Sequence, residues 1–245
     1  MDQLLTSPQP HKGLQKLADN GTLKQFFPEL DALRGVEQPE RWHPEGDVFK
    51  HTLLMLSHMA WQSTFLGWCI LLHDIGKKAA QTFDADGTPH FYGHEAVGAD
   101  MCPAILERYG FDTETIRRIE SAVRLHMSFT NLHLMRRKKL LRLLEREDFD
   151  LHLELHRLDC LCSNGIMKNY LLLLDLKRET ALNPPPPPPL IAGKDLLAMG
   201  LSPGPVFTEI LQKIFEMQCA GELRNRVDAL EYAKKISGQT YIKHG

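Results

Sequence analysis

Helical periodicity dominates the pattern of apolar and polar positions. It predicts a helix from about Val48 to Gln62 with Asp47 as N-cap, placing His51, Met55 and His58 on one face. Phe65–Leu72 is apolar almost all round and therefore reads as a buried helix. It runs into His73-Asp74-Ile75-Gly76-Lys77, where Gly76 is the expected left-handed stop. Asp86-Gly87 between two aromatic stretches predicts a small hairpin over 82–92, the sole β-structure expected. Further helices are predicted over 94–109, 113–127, 136–146, 148–163 and 166–181, with Asp112 and Asp148 at capping positions.

Pro184–Pro189 ends this pattern, because no helix crosses six prolines, and the run reads as a stiff polyproline II strut. Beyond it, helices are predicted over 193–199, 205–220 and 226–237, with turns at Gly200, Gly204 and Gly221. The expected organisation is an N-terminal helical lead-in (1–40), a helical body (41–183), a linker (184–189) and a C-terminal helical subdomain (190–245). About 55 residues make a marginal domain, so the last segment is expected to pack on the body. The fold class is all-α with one hairpin.

Composition changes this picture little. The chain has 245 residues, 43% hydrophobic and 24% charged, an ordinary globular balance. The formal charge of −2 excludes a globally basic nucleic-acid protein but not a local patch. The first residues lack a signal-peptide pattern, and no apolar stretch is long enough to span a membrane. Five cysteines in helical segments read as reduced thiols, and the expected location is cytoplasmic. Two of them, Cys160 and Cys162, diverge on a helix and do not form a zinc knuckle.

Twelve histidines stand out. His51, His73, Asp74, His94, His126 and Asp159 sit beside or within faces that should turn to the core. Each supplies an imidazole or carboxylate suited to a divalent ion. One histidine on an apolar face is ordinarily a hydrogen-bonded core residue, and Asp74 alone would serve as a helix-terminal cap. Their combination points to metal instead, because a buried carboxylate is costly unless paired or coordinated. Asp74 is expected to bridge two cations, and the set exceeds what one ion with open positions needs.

The pattern His51…His73-Asp74…Asp159 resembles the HD-domain metal-dependent phosphohydrolase superfamily over about residues 41–165. That resemblance implies a helical bundle with metal at its centre, His51, His73, Asp74 and Asp159 holding one ion. His94 and His126 match the added histidines of its dinuclear members. A closer likeness, over most of the chain, is to bacterial CCA-adding tRNA nucleotidyltransferases. It rests on Phe27-Pro28-Glu29-Leu30-Asp31, Trp42-His43-Pro44-Glu45-Gly46-Asp47, Leu72–Lys77, Tyr92-Gly93-His94-Glu95, and Gly193-Lys194-Asp195-Leu196 through Gly204-Pro205. The Gly-Ser pair and Asp-x-Asp motif of that family's nucleotidyltransferase head do not precede Phe27, and Asp84–Asp86 falls in a hairpin turn. Nucleotide addition is therefore not carried over.

The expected chemistry is hydrolysis of a nucleotide or RNA-end phosphoester, 2′,3′-cyclic ones included. Two cations about 3.5–4 Å apart (Mn, Fe, Co, Ni or Zn) would hold a hydroxide between them. Lys77 is expected to face a phosphate oxygen, so Asp74 and Lys77 are the catalytic candidates. Arg41 and Arg124 are weaker phosphate candidates, while His58, His133, His152 and His156 are expected outside the ligand set. Trp42 and His43 are candidates for a base-stacking rim, against plain packing. Arg136, Arg137, Lys138 and Lys139 form the densest part of a local basic excess and could receive an RNA backbone, as could the C-terminal subdomain. The alternative is an RNA-binding accessory protein with a structural metal site. A di-iron oxygenase is disfavoured by Lys77 and by the CCA-like flanks.

Overall fold

The computed structural model describes residues 1–60, 63–183 and 187–243. The expected polyproline strut therefore lies partly outside the described residues. The chain forms two compact units, Met1–Arg178 and Glu179–Gly245.

The first unit opens with four short helices, α1 (Asp2–Leu5), α2 (Pro10–Asp19), α3 (Thr22–Phe26) and α4 (Pro28–Asp31). They are part of the main core: Leu5, Leu14, Leu23, Phe27 and Leu30 are fully buried in one cluster with Met55, Trp68, Ile119 and Leu158. The helix α5 (Val48–Ser57) starts at Asp47, whose carboxylate accepts from the Lys50 N–H at 2.8 Å. It ends at Ser57, short of the expected 62. There the Ser57 hydroxyl turns back to the Leu54 carbonyl at 2.7 Å and competes with helix continuation.

The next helix, α6 (Thr64–Leu72), is capped by Ser63, and every residue from Leu66 to Leu72 is buried. Burying each large apolar side chain contributes about 1.5–3 kcal/mol, so α6 anchors the unit. The Trp68 indole N–H donates to Asp2 at 2.8 Å, tying α1 to α6. After it come α7 (Lys77–Ala80) and a hairpin of β1 (Thr82–Phe83) and β2 (Pro89–His90), with Thr82 opposite His90. Gly87 closes the hairpin at φ +85°, a conformation only glycine takes cheaply. Then α8 (His94–Arg108) packs along α9 (Thr113–Leu125). Asp112 caps α9 as expected, accepting from Thr115 at 2.9 Å. That helix tightens into a 3-10 turn at His126–Phe129.

The unit closes with α10 (Arg137–Leu144), α11 (Phe149–Cys162) and α12 (Lys168–Leu182), which runs past the unit's last residue, Arg178. Asp148 stands at the start of α11 but does not cap it. Its carboxylate accepts from Arg146 and faces His152 at 3.0 Å.

The second unit contains α13 (Gly193–Ala198), α14 (Pro205–Cys219) and α15 (Arg226–Lys243), the last longer than the expected 226–237. Leu196, Ile210, Ile214 and Ala229 form its own core. Asp195 accepts from the Ala192 N–H at 2.7 Å and from Arg226 at 2.6 Å, joining two of its helices.

Candidate metal centre

Six side chains from five segments converge in the first unit. His51 comes from the second turn of α5, and His73 and Asp74 directly follow α6. His94 opens α8, His126 follows α9, and Asp159 sits near the end of α11. All but Asp159 are buried, and Asp159 is only partly exposed. His51, His73 and Asp159 form one group whose ligand atoms lie within 4.8 Å of one another, and Asp74, His94 and His126 form a second. Asp74 faces both: Oδ2 is 3.1 Å from His73 Nε2, and Oδ1 is 3.2 Å from His94 Nε2 and 3.8 Å from His126 Nε2. Asp159 Oδ1 lies 3.2 Å from His51 Nε2.

The tautomers follow from what lies behind the rings. His73 Nδ1 is 2.8 Å from the Ile70 carbonyl, His94 Nδ1 2.8 Å from Phe91 and His126 Nδ1 2.6 Å from Val123. A carbonyl only accepts, so each Nδ1 carries a proton, and in its neutral form each ring turns a lone pair inward through Nε2. The spacing is three residues in every case. His51 is backed differently, with Nδ1 2.6 Å from the Glu45 carboxylate.

Lone pairs therefore converge. His94 Nε2 and His126 Nε2 are 3.1 Å apart, and both are unprotonated in these tautomers. The Nε2 atoms of His51 and His73 are buried with no hydrogen bond of acceptable geometry. Acceptor facing acceptor in a buried space is repulsive unless a cation stands between. This donor set fits divalent metal: neutral imidazole Nε2 atoms plus carboxylates, each oriented from behind.

Without a cation the charges rearrange around protons. Burial disfavours the His51 imidazolium, but the Asp159 and Glu45 carboxylates outweigh it and raise His51 to about 9. Burial and the neighbouring His73 push His126 down to about 3. Burial works to raise Asp74, yet His73 and Lys77 hold its carboxyl well below the usual range.

Lys77 is buried rather than solvated. Its ammonium lies 2.7 Å from Asp74 Oδ2 and donates to Gln38 Oε1 at 2.6 Å. It also lines a cavity of about 530 Å³ whose walls include Asp74, His94, His126 and Asp159. A second cavity, about 680 Å³ beside Asp195 and Arg226 in the second unit, contains none of these ligands.

The remaining candidates separate. His58 and His133 are exposed, so His58 does not share the buried face of His51. His152 pairs with Asp148, and His156 lines the cavity against the Phe129 ring. Arg124 pairs with Asp100 and Glu120, and Arg41 lies over the Trp42 ring. Asp84 and Asp86 hold the hairpin through His90 and the Thr88 N–H. The five cysteines are free. Glu45 and Gln38 were not singled out from sequence. The one signal for Glu45 was its place in the His43-Pro44-Glu45 stretch ahead of α5.

Residues 48–159 match the HD domain family, so the site lies in an HD domain. Residues 1–34 match the family described as the probable RNA and SrmB-binding site of polymerase A. The chain is homologous over most of its length to tRNA nucleotidyltransferases. It is 31% identical to a CC-adding tRNA nucleotidyltransferase of Thermus thermophilus, over 93% of this chain and 53% of that protein. It is 29% identical to an A-adding tRNA nucleotidyltransferase of Deinococcus radiodurans, over 97% and 57%. A multifunctional CCA protein of an Azoarcus species is 34% identical over 59% and 35%. The chain thus spans about half the length, or less, of these relatives. Among the described residues no helix is long and apolar enough to cross a membrane.

Proposed function

We propose that this HD domain is a metal-dependent phosphohydrolase or phosphodiesterase acting on nucleotide or RNA-end phosphoesters, 2′,3′-cyclic ones included. The observation that supports it is the inward convergence of four imidazole Nε2 atoms on two carboxylates, each ring fixed from behind. His51, His73, Asp74 and Asp159 would hold one divalent ion (Mn, Fe, Co, Ni or Zn), and Asp74, His94 and His126 a second. Such ions supply Lewis acidity and lower the pKa of coordinated water to near neutrality. The chain's own part is orientation and charge. The tied Nδ1 atoms fix the rings, Asp74 presents one oxygen to each group, and Lys77 brings positive charge to the cavity for a phosphate oxygen. The names of the relatives favour a tRNA end as the source of the phosphoester.

A second reading rests on the match of residues 1–34: an RNA-binding accessory protein with a structural metal site. One experiment separates the two. Metal content and turnover of mononucleotides, 2′,3′-cyclic and 3′,5′-cyclic nucleotides are measured for wild type and Asp74→Ala. We expect bound metal and hydrolysis in wild type and loss of both in the variant. At metal a hundredfold above its Kd, the linked stabilisation of about 2.7 kcal/mol should also vanish. Metal without turnover on any phosphoester would favour the accessory reading. An Asp74→Ala protein that keeps metal and activity would defeat the site assignment.

A further inference from the structure

We propose that the cavity over the His/Asp cluster takes an unpaired nucleobase on the rings of Trp42 and Tyr92, so that the site selects nucleotides over base-free phosphoesters. This rests on the phosphoester reading of the floor and names what binds beside the phosphate.

Trp42 and Tyr92 line the same cavity as Asp74, Lys77 and His126. Both are exposed, Trp42 by 48% and Tyr92 by 81%, so neither is held there by core packing. Large aromatic surface left open at the mouth of a cavity is the usual mark of a ligand surface.

Both rings are also backed. His90 stacks on Tyr92 with ring centroids 5.2 Å apart and planes within 6°, and His90 is itself 2.6 Å from the Asp84 carboxylate. The Arg41 guanidinium lies 4.9 Å from the Trp42 ring centre. A ring already stacked on one side is held in orientation and loses little entropy when a base covers the other. The hairpin thus acquires a purpose: its Asp84–His90 contact steadies Tyr92.

The occupant follows from joining rim to floor. The floor carries the Lys77 ammonium and the His/Asp set proposed to hold metal for a phosphoester, and the rim carries π-surfaces suited to a flat ring. A nucleotide offers both, one ribose apart, and about 530 Å³ lies within the range of small-ligand sites. Bases in a duplex have their faces covered, so the base must be unpaired, in a free nucleotide or a single-stranded end. Stacking needs only a π-face, so both purines and pyrimidines should bind.

Adenosine is a suitable probe because it has no phosphate to lose and its binding is independent of turnover. The full-length protein is titrated with adenosine and with ribose, following tryptophan emission and heat. We expect saturable quenching by adenosine and none by ribose. In a Trp61→Phe background, Trp42→Phe should abolish the quenching, since Trp68 is fully buried, while calorimetric binding persists on the Phe ring. Tyr92→Ala should weaken adenosine about tenfold and Tyr92→Phe should not, the size expected for one lost stack. Thermal melts confirm folding, which substitution of an exposed ring leaves nearly unchanged. A single-stranded tetranucleotide should compete with adenosine, and a blunt duplex should not. Adenosine binding no tighter than ribose, or Tyr92→Ala indistinguishable from Tyr92→Phe, would overturn the proposal. Adenosine binding with no phosphoester turnover would leave this base site standing and fell the hydrolytic reading instead.

Discussion

At the scale of single residues, the four histidines are made equivalent by different means. Three use a carbonyl three residues earlier, a partner no substitution removes. His51 uses the Glu45 carboxylate, which also lies 2.8 Å from His43 Nδ1. The His43 and His51 imidazoles outweigh the effect of burial and hold Glu45 down at about 2, so it is ionised at any ordinary pH. A carboxylate behind an imidazole fixes its tautomer and strengthens it as a ligand, and losing such a partner typically weakens metal affinity about 10–100-fold. We therefore expect Glu45→Ala to lower metal affinity in that range in chelator competition. Glu45→Gln, which can still accept from Nδ1–H, should lose less. The metal-free protein should also melt lower in Glu45→Ala, because a carboxylate held at about 2 beside a His51 raised to about 9 contributes to folded stability near neutral pH. A fall in metal-free stability with metal affinity intact would make Glu45 a structural residue only.

At the scale of elements, the site depends on how closely the turn after α6 meets the start of α8. Gly76 was expected as a left-handed helix stop, but its φ is −77° and ψ −13°, ordinary right-handed values. Glycine stands there for space. A Cβ on Gly76 would lie 2.3 Å from the His94 carbonyl oxygen and 2.5 Å from the Gly98 nitrogen, both backbone atoms that cannot swing aside. This backbone-to-backbone approach brings His94 within 3.2 Å of Asp74. Gly76→Ala must push α8 away, at a cost of about 1–3 kcal/mol for overpacking, and should separate His94 and His126 from Asp74. We expect a lower melting temperature together with reduced metal stoichiometry. Gly98→Ala, whose Cβ would meet its nearest neighbour at 3.1 Å, should be milder in both. Equal effects from the two would show that the approach is not what sets the site.

At the scale of the whole molecule, the two units have separate cores, and every candidate ligand belongs to the first. The exposed basic run Arg136–Lys139 and the match at 1–34 also fall in the first unit. We expect a protein ending at Asn183 to keep its metal and its turnover of a small cyclic nucleotide. Its RNA affinity should fall only in part, by whatever the C-terminal subdomain contributes, and the lost part should be salt-sensitive, because phosphate contacts release counterions. Nucleotide turnover and filter binding across a salt series check this. A soluble truncated protein that keeps metal but loses small-molecule turnover would place part of the active site in the second unit.

The sequence alone determined the helical class, the hairpin, the Asp47 and Asp112 caps and the buried α6, because those rest on local periodicity and on side chains reaching their own backbone. It also picked out the six residues that converge, since polar groups on apolar faces are rare enough to be conspicuous. Local pattern could not supply what depends on neighbours distant in the chain. The Asp148 carboxylate left its cap for Arg146 and His152, Lys77 turned inward to Gln38 and Asp74, and Gly76 was fixed by α8 rather than by its own φ. Glu45 behind His51, and the aromatic mouth assembled from Trp42 and the hairpin, were likewise visible only once packing had set the distances. Tertiary structure alone decided these, because a buried carboxylate, ammonium or glycine takes whichever role its surrounding groups leave it.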